Sequence, residues 1–281
     1  LEALVSENDA KLQSITNKTI YPVLPAVDDN KKPKDLVYYN GYGGFLNDGK
    51  EYYIDQIDTP TPWTNVIANQ KFGFITTNSM SGFTYAVNSQ GFKLTSWSND
   101  MVSDPASEII LINKQKFVPQ SCIHGLGYSS FYLKTTDFQI SICLFTPVND
   151  MVKYYIVSID NLTDKKQNID IDFIIRIVLG NTEEKNARHL IAEWNKEANR
   201  VYFRNAYDKK FANCHAFMSS TEQVADMNIY DPFNKSISIN IDIDANTQKE
   251  FSFLLGCERD NELIPVRTMD EIKQEKQYVI D

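Results

Sequence analysis

The sequence predicts an all-β chain: one large antiparallel β-sandwich with short helical segments at its ends. Three observations carry this. Short runs rich in Ile, Val, Phe and Tyr recur from Val37 onward, separated by Asn, Asp and Gly turn signals. Several runs alternate apolar and polar residues with period two, which a helix does not do. The length of 281 residues, with 42% hydrophobic and 23% charged residues, fits an ordinary globular chain. At roughly 150 residues per domain it divides into two, but β-sandwiches run to about 250 as one.

The elements follow in order. Residues 1–20 have a short helical look, with Leu4, Leu12 and Ile15 loosely spaced. Val37-Tyr38-Tyr39 leads into Asn40-Gly41-Tyr42-Gly43-Gly44-Phe45, and Asn47-Asp48-Gly49 makes a hairpin turn before Glu51-Tyr52-Tyr53-Ile54. The prolines of Thr59-Pro60-Thr61-Pro62-Trp63-Thr64-Asn65 favour a rigid connection. Phe72 to Thr77, Gly82 to Val87 and Glu108 to Ile112 read as strands, the last turned by Asn113-Lys114-Gln115. Residues 129–133 and 139–145 pair around Thr135-Thr136-Asp137, and 152–159 ends at the polar turn Asp160 to Asp164. Ile169-Asp170-Ile171-Asp172-Phe173 alternates apolar and acidic. Residues 189–194 and 200–205 form a hairpin, 236–243 is the cleanest half-buried strand, and 251–256 closes the series. Thr268-Met269-Asp270-Glu271 has the spacing of a helix capping box, so a helix starts there.

Composition excludes several functions. Lys plus Arg is 28 against 37 Asp plus Glu, a net charge of -9, which argues against a nucleic-acid partner. No apolar run approaches the roughly 20 residues of a membrane helix, so no membrane partner is expected. The four cysteines, Cys122, Cys143, Cys214 and Cys257, form no Cys-x-x-Cys pair and read as buried free thiols of a reducing compartment. With no visible signal peptide, the expected location is cytoplasmic. Cys122-x-His124 has no second pair, so no metal is expected.

No nucleophile elbow, P-loop or zinc-protease motif is present, and sequence spacing does not identify a carboxylate pair. Asp104-Pro105 and Asp231-Pro232 read as turn initiators. The excess is aromatic: 16 Phe, 15 Tyr and 3 Trp, rings that either fill a β core or stack on sugar faces. The densest polar-aromatic stretch runs from Leu94 to Pro105. Trp97, Asn99 and Asp100 are its candidate sugar contacts; the plain alternative is an ordered loop satisfying its own backbone. Trp63 and Asn65 form a second, similar candidate.

The ordered motifs Asn40 to Phe45, Asp48 to Tyr52, Thr61 to Asn69, Phe72-Gly73-Phe74, Ser81 to Ser89 and Leu94 to Pro105 resemble the start of a family 94 glycoside phosphorylase. His124 to Ser129, Phe145 to Lys153, Val178-Leu179-Gly180 and Arg204 to Ala212 extend the resemblance over roughly residues 37 to 260. It is closest to the subgroup of cyclic β-1,2-glucan synthases and 1,2-β-oligoglucan phosphorylases. The resemblance implies a galactose-mutarotase-like supersandwich over 37–262, an N-terminal extension over 1–36, and the start of a linker helix over 263–281. It implies an (α/α)6 catalytic barrel beyond, which carries the general acid and most of the phosphate site. The implied reaction is inverting phosphorolysis of β-glucooligosaccharides to α-glucose 1-phosphate. Inorganic phosphate is the co-substrate, and no other cofactor is implied.

On that reading the segment alone is inactive and holds no catalytic residue. Its partners are the oligosaccharide, its own barrel domain and, as one expected role, a second copy in a homodimer. The alternatives are a stand-alone carbohydrate-binding module and a structural or dimerisation module. The chain also departs from the pattern. Thr77-Asn78-Ser79-Met80 stands where relatives tend to have Ser-Glu-Ser-Gly, and Phe83-Thr84-Tyr85 replaces Tyr-Thr-Trp. Gln90-Gly91-Phe92 replaces Arg-Glu-Asn, and Ser96 replaces a Pro before Trp97. The lost Glu and Arg imply an altered linkage or chain-length preference, or a purely structural role at those positions.

Overall fold

A computed structural model of the chain describes residues 20–27, 32–260 and 262–280. The helical reading of residues 1–20 falls, apart from Ile20, outside them. The described chain runs through β1 (Gly43–Leu46), β2 (Glu51–Ile54), β3 (Thr64–Ala68), β4 (Phe72–Thr77), β5 (Gly82–Ala86), β6 (Lys93–Thr95) and β7 (Glu108–Ile112). It continues through β8 (Gln115–Lys116), β9 (Ser121–Gly125), β10 (Tyr128–Lys134), β11 (Phe138–Phe145), β12 (Val152–Asn161) and β13 (Gln167–Gly180). After the short helix α1 (Glu183–Asn186) come β14 (Leu190–Asn195), β15 (Arg200–Asn205), β16 (Cys214–Ser220), β17 (Asp226–Asn228), β18 (Asn234–Ile243) and β19 (Gln248–Arg259), and then the helix α2 (Met269–Ile280).

The strands form two sheets with antiparallel pairing throughout. One has ten strands in the order β1-β2-β9-β10-β11-β12-β19-β16-β15-β14. The other is built on β13, which pairs β18 along one edge. Its opposite edge is shared: residues 171–175 pair β7, and Ile177 and Gly180 pair β6. From β6 the sheet continues to β5, β4 and β3.

Period-two alternation decides which residues meet between the sheets. Ile169, Ile171, Phe173 and Ile175 of β13 and Ile237, Ile239, Ile241 and Ile243 of β18 are buried. The Phe173 ring lies 4.7 Å from that of Tyr155 on β12 and 5.2 Å from that of Phe253 on β19. Each such side chain contributes about 1.5–3 kcal/mol when fully buried. The intervening residues form a polar ladder on the opposite face. Asn168 Nδ2 donates to Asn240 Oδ1 (2.7 Å) and Asp242 Oδ1 (2.9 Å), and Asn240 Nδ2 donates to Asp170 Oδ1 (2.7 Å).

Two ion pairs dock the C-terminal segment. Arg200 pairs with Glu258, and both hold the Ile264 backbone: Arg200 Nη2 donates to its carbonyl (2.9 Å), while its N–H donates to Glu258 Oε1 (3.1 Å). Arg267 pairs with Asp150 and donates to the Tyr154 hydroxyl (3.1 Å). The capping box forms as the spacing predicts, with Thr268 N donating to Glu271 Oε2 (2.7 Å). Ile272 of α2 is then fully buried against the core, with Met269 and Val279 partly buried beside it.

Candidate functional site

The site is built on the β4–β5 turn. Thr77 N–H donates to Ser81 O (2.9 Å), and Met80 takes a left-handed φ of 62°. Gly82 follows at φ 132°, where an added Cβ would lie 2.0 Å from Ile75 O, so no other residue fits. The tight turn aims three hydroxyls at one residue. Thr77 Oγ1 and Ser79 Oγ donate to Asp104 Oδ2 at 2.7 and 2.6 Å, and Ser81 Oγ donates to Asp104 O at 2.8 Å. Asp104, which its Asp-Pro step marks as a turn initiator, is thus the anchor of the loop leaving β6.

That loop carries Trp97, Asn99 and Asp100. Trp97 stacks on Phe83 of β5, with ring centroids 4.6 Å apart and planes 14° apart, and stays 38% exposed. Asn99 adopts φ 52°, a backbone that Asn tolerates better than most residues. Asp100 closes the loop on itself: Oδ1 accepts from Val102 N (2.9 Å) and Ser103 N (3.2 Å), and Oδ2 accepts from Ser103 Oγ (2.6 Å).

Beneath the loop lies a buried polar cluster. Glu108 Oε1 accepts from Thr84 Oγ1 (2.6 Å) and Thr95 Oγ1 (2.7 Å). Its Oε2 accepts from Lys153 Nζ (2.6 Å) and Tyr155 OH (2.5 Å). Burial pushes the Glu108 carboxyl up, but the Lys153 charge and the hydrogen bonds outweigh it, and the group lies below the usual carboxylate range. Burial lowers Lys153, with Glu108 opposing. Thr95 therefore pins β6 two residues before Trp97.

Asn78 joins this end of the sandwich to Trp63. Asn78 N–H donates to Trp63 O (2.9 Å), Trp63 N–H donates to Asn78 Oδ1 (2.9 Å), and Asn78 Nδ2 donates to Ile57 O (2.6 Å). The Trp63 ring meets Tyr42 and Tyr52 edge-on at 5.7 and 5.9 Å. Its carbonyl is also within 3.2 Å of His124 Nε2, whose Nδ1 is 2.9 Å from Ser129 Oγ. Burial holds His124 down at about 4, so it is neutral at pH 7. Asn65 stands apart. Its amide nitrogen lies across the sandwich on Gly125 O (2.9 Å), Tyr128 O (3.0 Å) and Ser129 Oγ (3.1 Å). It is the second residue of β3, inside the stretch whose prolines suggest a rigid connection.

The structure thus brings Trp97, Asn99 and Asp100 together on one anchored loop, links Trp63 to it through Asn78, and sets Asn65 on the opposite sheet's backbone. Sequence reading misses Asp104 as an anchor and the Glu108–Lys153 pair. The available signal is a charge within an apolar run, as in Val152-Lys153-Tyr154. An indole with hydroxyls and amides around it suits a neutral polyhydroxylated ligand. Among the described residues no group of three or more His, Cys, Asp or Glu is placed to hold a metal ion.

Such a two-sheet scaffold with a polar-aromatic loop end is an antiparallel β-sandwich of the supersandwich type. Residues 50–231, more than half of the chain, match the family described as Glycosyl hydrolase 94, supersandwich domain. The chain belongs to the glycosyl hydrolase 94 family. It is 28% identical over 209 residues to the cyclic beta-(1,2)-glucan synthase NdvB of Rhizobium meliloti (strain 1021), covering 68% of this chain and 7% of that protein. It is 22% identical over 165 residues to the N,N'-diacetylchitobiose phosphorylase of Vibrio furnissii, covering 53% of this chain and 21% of that one. The chain therefore spans less than a quarter of the length of these relatives. A solved galactose mutarotase related enzyme from Lactobacillus acidophilus superposes with a TM-score of 0.44 at 8% identity, over 73% of this chain and 100% of that one.

Proposed function

We propose that this chain is the N-terminal β-sandwich of an inverting glycoside phosphorylase that cleaves β-glucooligosaccharides, β-1,2-linked, with inorganic phosphate to give α-glucose 1-phosphate. The observation that carries the reading is the identity shared over 209 residues with a protein named as a β-1,2-glucan synthase. Because phosphate is the nucleophile, the protein need supply only one carboxylic acid, where inverting hydrolases use a pair. That acid would come from an (α/α)6 barrel elsewhere in the protein. The sandwich would supply a wall for the sugar, with Trp97 stacking on a pyranose and Asn99 within reach of its hydroxyls. The test is to incubate the full-length protein with β-1,2-glucooligosaccharides and phosphate and to follow glucose 1-phosphate. Release with β-1,2 but not β-1,3 or β-1,4 oligomers is expected. No release from any of them would sink the proposal.

The second reading is a carbohydrate-binding module, favoured by the partial exposure of the stacked Trp97 ring. It predicts calorimetric binding of β-1,2-glucooligosaccharide without turnover.

A further inference from the structure

An outermost strand of a sheet presents a row of unpaired N–H and C=O groups, and native proteins guard such edges with charge, proline or cover. The described strands leave β1, β14, β17, β8 and β3 outermost. β1 is covered by Val37, whose N–H donates to Phe45 O (3.0 Å) and whose carbonyl accepts from Phe45 N–H (2.9 Å). β8 carries Lys116, whose backbone is held by Pro22 O (2.7 Å) and Leu24 N–H (3.0 Å). β14 carries Glu193, and β17 begins with Asp226. β3, Thr64-Asn65-Val66-Ile67-Ala68, has neither a charge nor a covering segment among the described residues.

The pairing with β4 decides which groups of β3 are free. Asn69 N–H donates to Phe72 O (2.9 Å) and Asn78 N–H to Trp63 O (2.9 Å), and the register between them is unbroken. Hydrogen-bonded pairs alternate along an antiparallel ladder, so Asn65 and Ile67 bond β4 as well. Thr64, Val66 and Ala68 turn their N–H and C=O groups the other way, with no partner among the described residues. All three are exposed, Val66 by 62%. Val66 and Ala68 line a groove of about 560 Å³ together with Gly127, Thr146, Val148 and Val279. Val148 is 49% exposed, and the Thr146 hydroxyl is buried without a partner among the described residues. Lys71, the charged residue of the lining, is taken up by Glu262 (2.9 Å).

We propose that β3 pairs antiparallel with β3 of a second copy of this chain, about a two-fold axis at Val66. The axis sets Val66 opposite Val66 and Thr64 opposite Ala68 of the second copy. These are the outward-facing residues, so each of the three pairs exchanges two hydrogen bonds. An axis at Asn65 or Ile67 leaves one of the three outside the strand pairing, and an axis between residues sets outward groups against inward ones. The contact is isologous, the form of a closed dimer. It also brings two exposed Val66 side chains together on one face. Charge favours a second copy as the occupant. Each chain carries a net charge of -9, and this uncharged edge lets two such chains meet with no like charges opposed along the strands.

The test is sedimentation velocity of the folded full-length protein, combined with cysteine cross-linking. Dimers are expected, and they tighten as salt rises, because screening relieves the repulsion between two acidic chains. Residues of a hydrogen-bonded pair have Cα atoms about 5.5 Å apart, within the span of a disulfide. Val66→Cys is therefore expected to cross-link the dimer under mild oxidation. Thr64→Cys is not, since its two thiols stand roughly 13 Å apart along the strands. Val66→Lys sets like charges opposite each other and is expected to weaken the dimer roughly tenfold or more. A monomeric wild-type protein overturns the proposal. So does a dimer that Val66→Lys leaves unchanged, or one that cross-links equally through Thr64→Cys, because its contact then lies elsewhere. If a variant does not fold, amide exchange of the wild-type protein decides. Protection of Val66 and Ala68 must rise with protein concentration, and exchange independent of concentration overturns the pairing.

Discussion

Glu108 and Lys153 face each other across the gap between the two sheets, Oε2 to Nζ at 2.6 Å, with their side chains only 6% and 2% exposed. Glu108 comes from β7 of one sheet and Lys153 from β12 of the other, so the pair ties the two layers of the sandwich. Two hydroxyls from Thr84 and Thr95 and a third from Tyr155 complete the carboxylate's partners. The Lys153 ammonium lies 4.2 Å from the Phe74 ring centroid.

Breaking this pair from one side leaves a charge in the core with nothing opposite it. Glu108→Gln is expected to destabilise the fold by about 3–5 kcal/mol in urea unfolding. Glu108→Gln with Lys153→Met is expected to recover most of that loss, because an apolar pair has no charge to desolvate. A double variant no better than Glu108→Gln alone would show that the hydroxyl contacts, not the ion pair, carry the stability. The acid limb follows from the depressed Glu108 carboxyl. Its stabilisation is present above the unfolded carboxylate value and is lost as pH falls through the lower folded one.

His124 gives a second, separable pH signature. Burial holds it at about 4 against an ordinary 6.5. Between those values the unfolded chain binds a proton that the folded chain refuses, so stability rises with pH across that window. The contribution is full above about 6.5 and is lost as pH falls towards 4, by on the order of 3 kcal/mol. His124→Gln is expected to flatten that limb, and the His124 imidazole resonances of the native protein, assigned by their loss in that variant, should show no titration step near 6.5. A step there would mean that Trp63 and Ser129 do not enclose the ring as described.

Legibility divides along the range of the signal. β4 and β7 coincide with the apolar runs that mark them, because Phe-Gly-Phe-Ile and Ile-Ile-Leu-Ile state their own burial. The capping box is equally local, with three residues separating Thr268 from Glu271. β9 and β16 show no such pattern: Ser-Cys-Ile-His-Gly and Cys-His-Ala-Phe-Met-Ser-Ser become strands because each is flanked on both sides by stronger strands. The site divides the same way. Trp97, Asn99 and Asp100 are contiguous and therefore visible. Asp104 meets Thr77 and Ser79 from 27 and 25 residues away, and Lys153 meets Glu108 from 45, distances at which pairing depends on sheet topology.

The loop from Trp97 to Asp104 separates a sugar-contacting role from a structural one, because its ring and its anchor can be changed independently. Trp97→Ala removes a partly exposed ring and its stack on Phe83, which is expected to cost about 1 kcal/mol of stability. If the loop holds substrate, the same change raises the KM of the full-length protein for oligosaccharide roughly tenfold, the loss of one ring stack. Asp104→Asn leaves the ring intact but weakens the charge-assisted bonds from Thr77 and Ser79, with an expected loss of about 1–3 kcal/mol. Amide exchange at Val102 and Ser103 should quicken in that variant. Its kcat/KM should fall as well, because a loosened loop presents Trp97 and Asn99 less often in register. Unchanged kinetics in both folded variants would assign the loop to closing the end of the sandwich and nothing more.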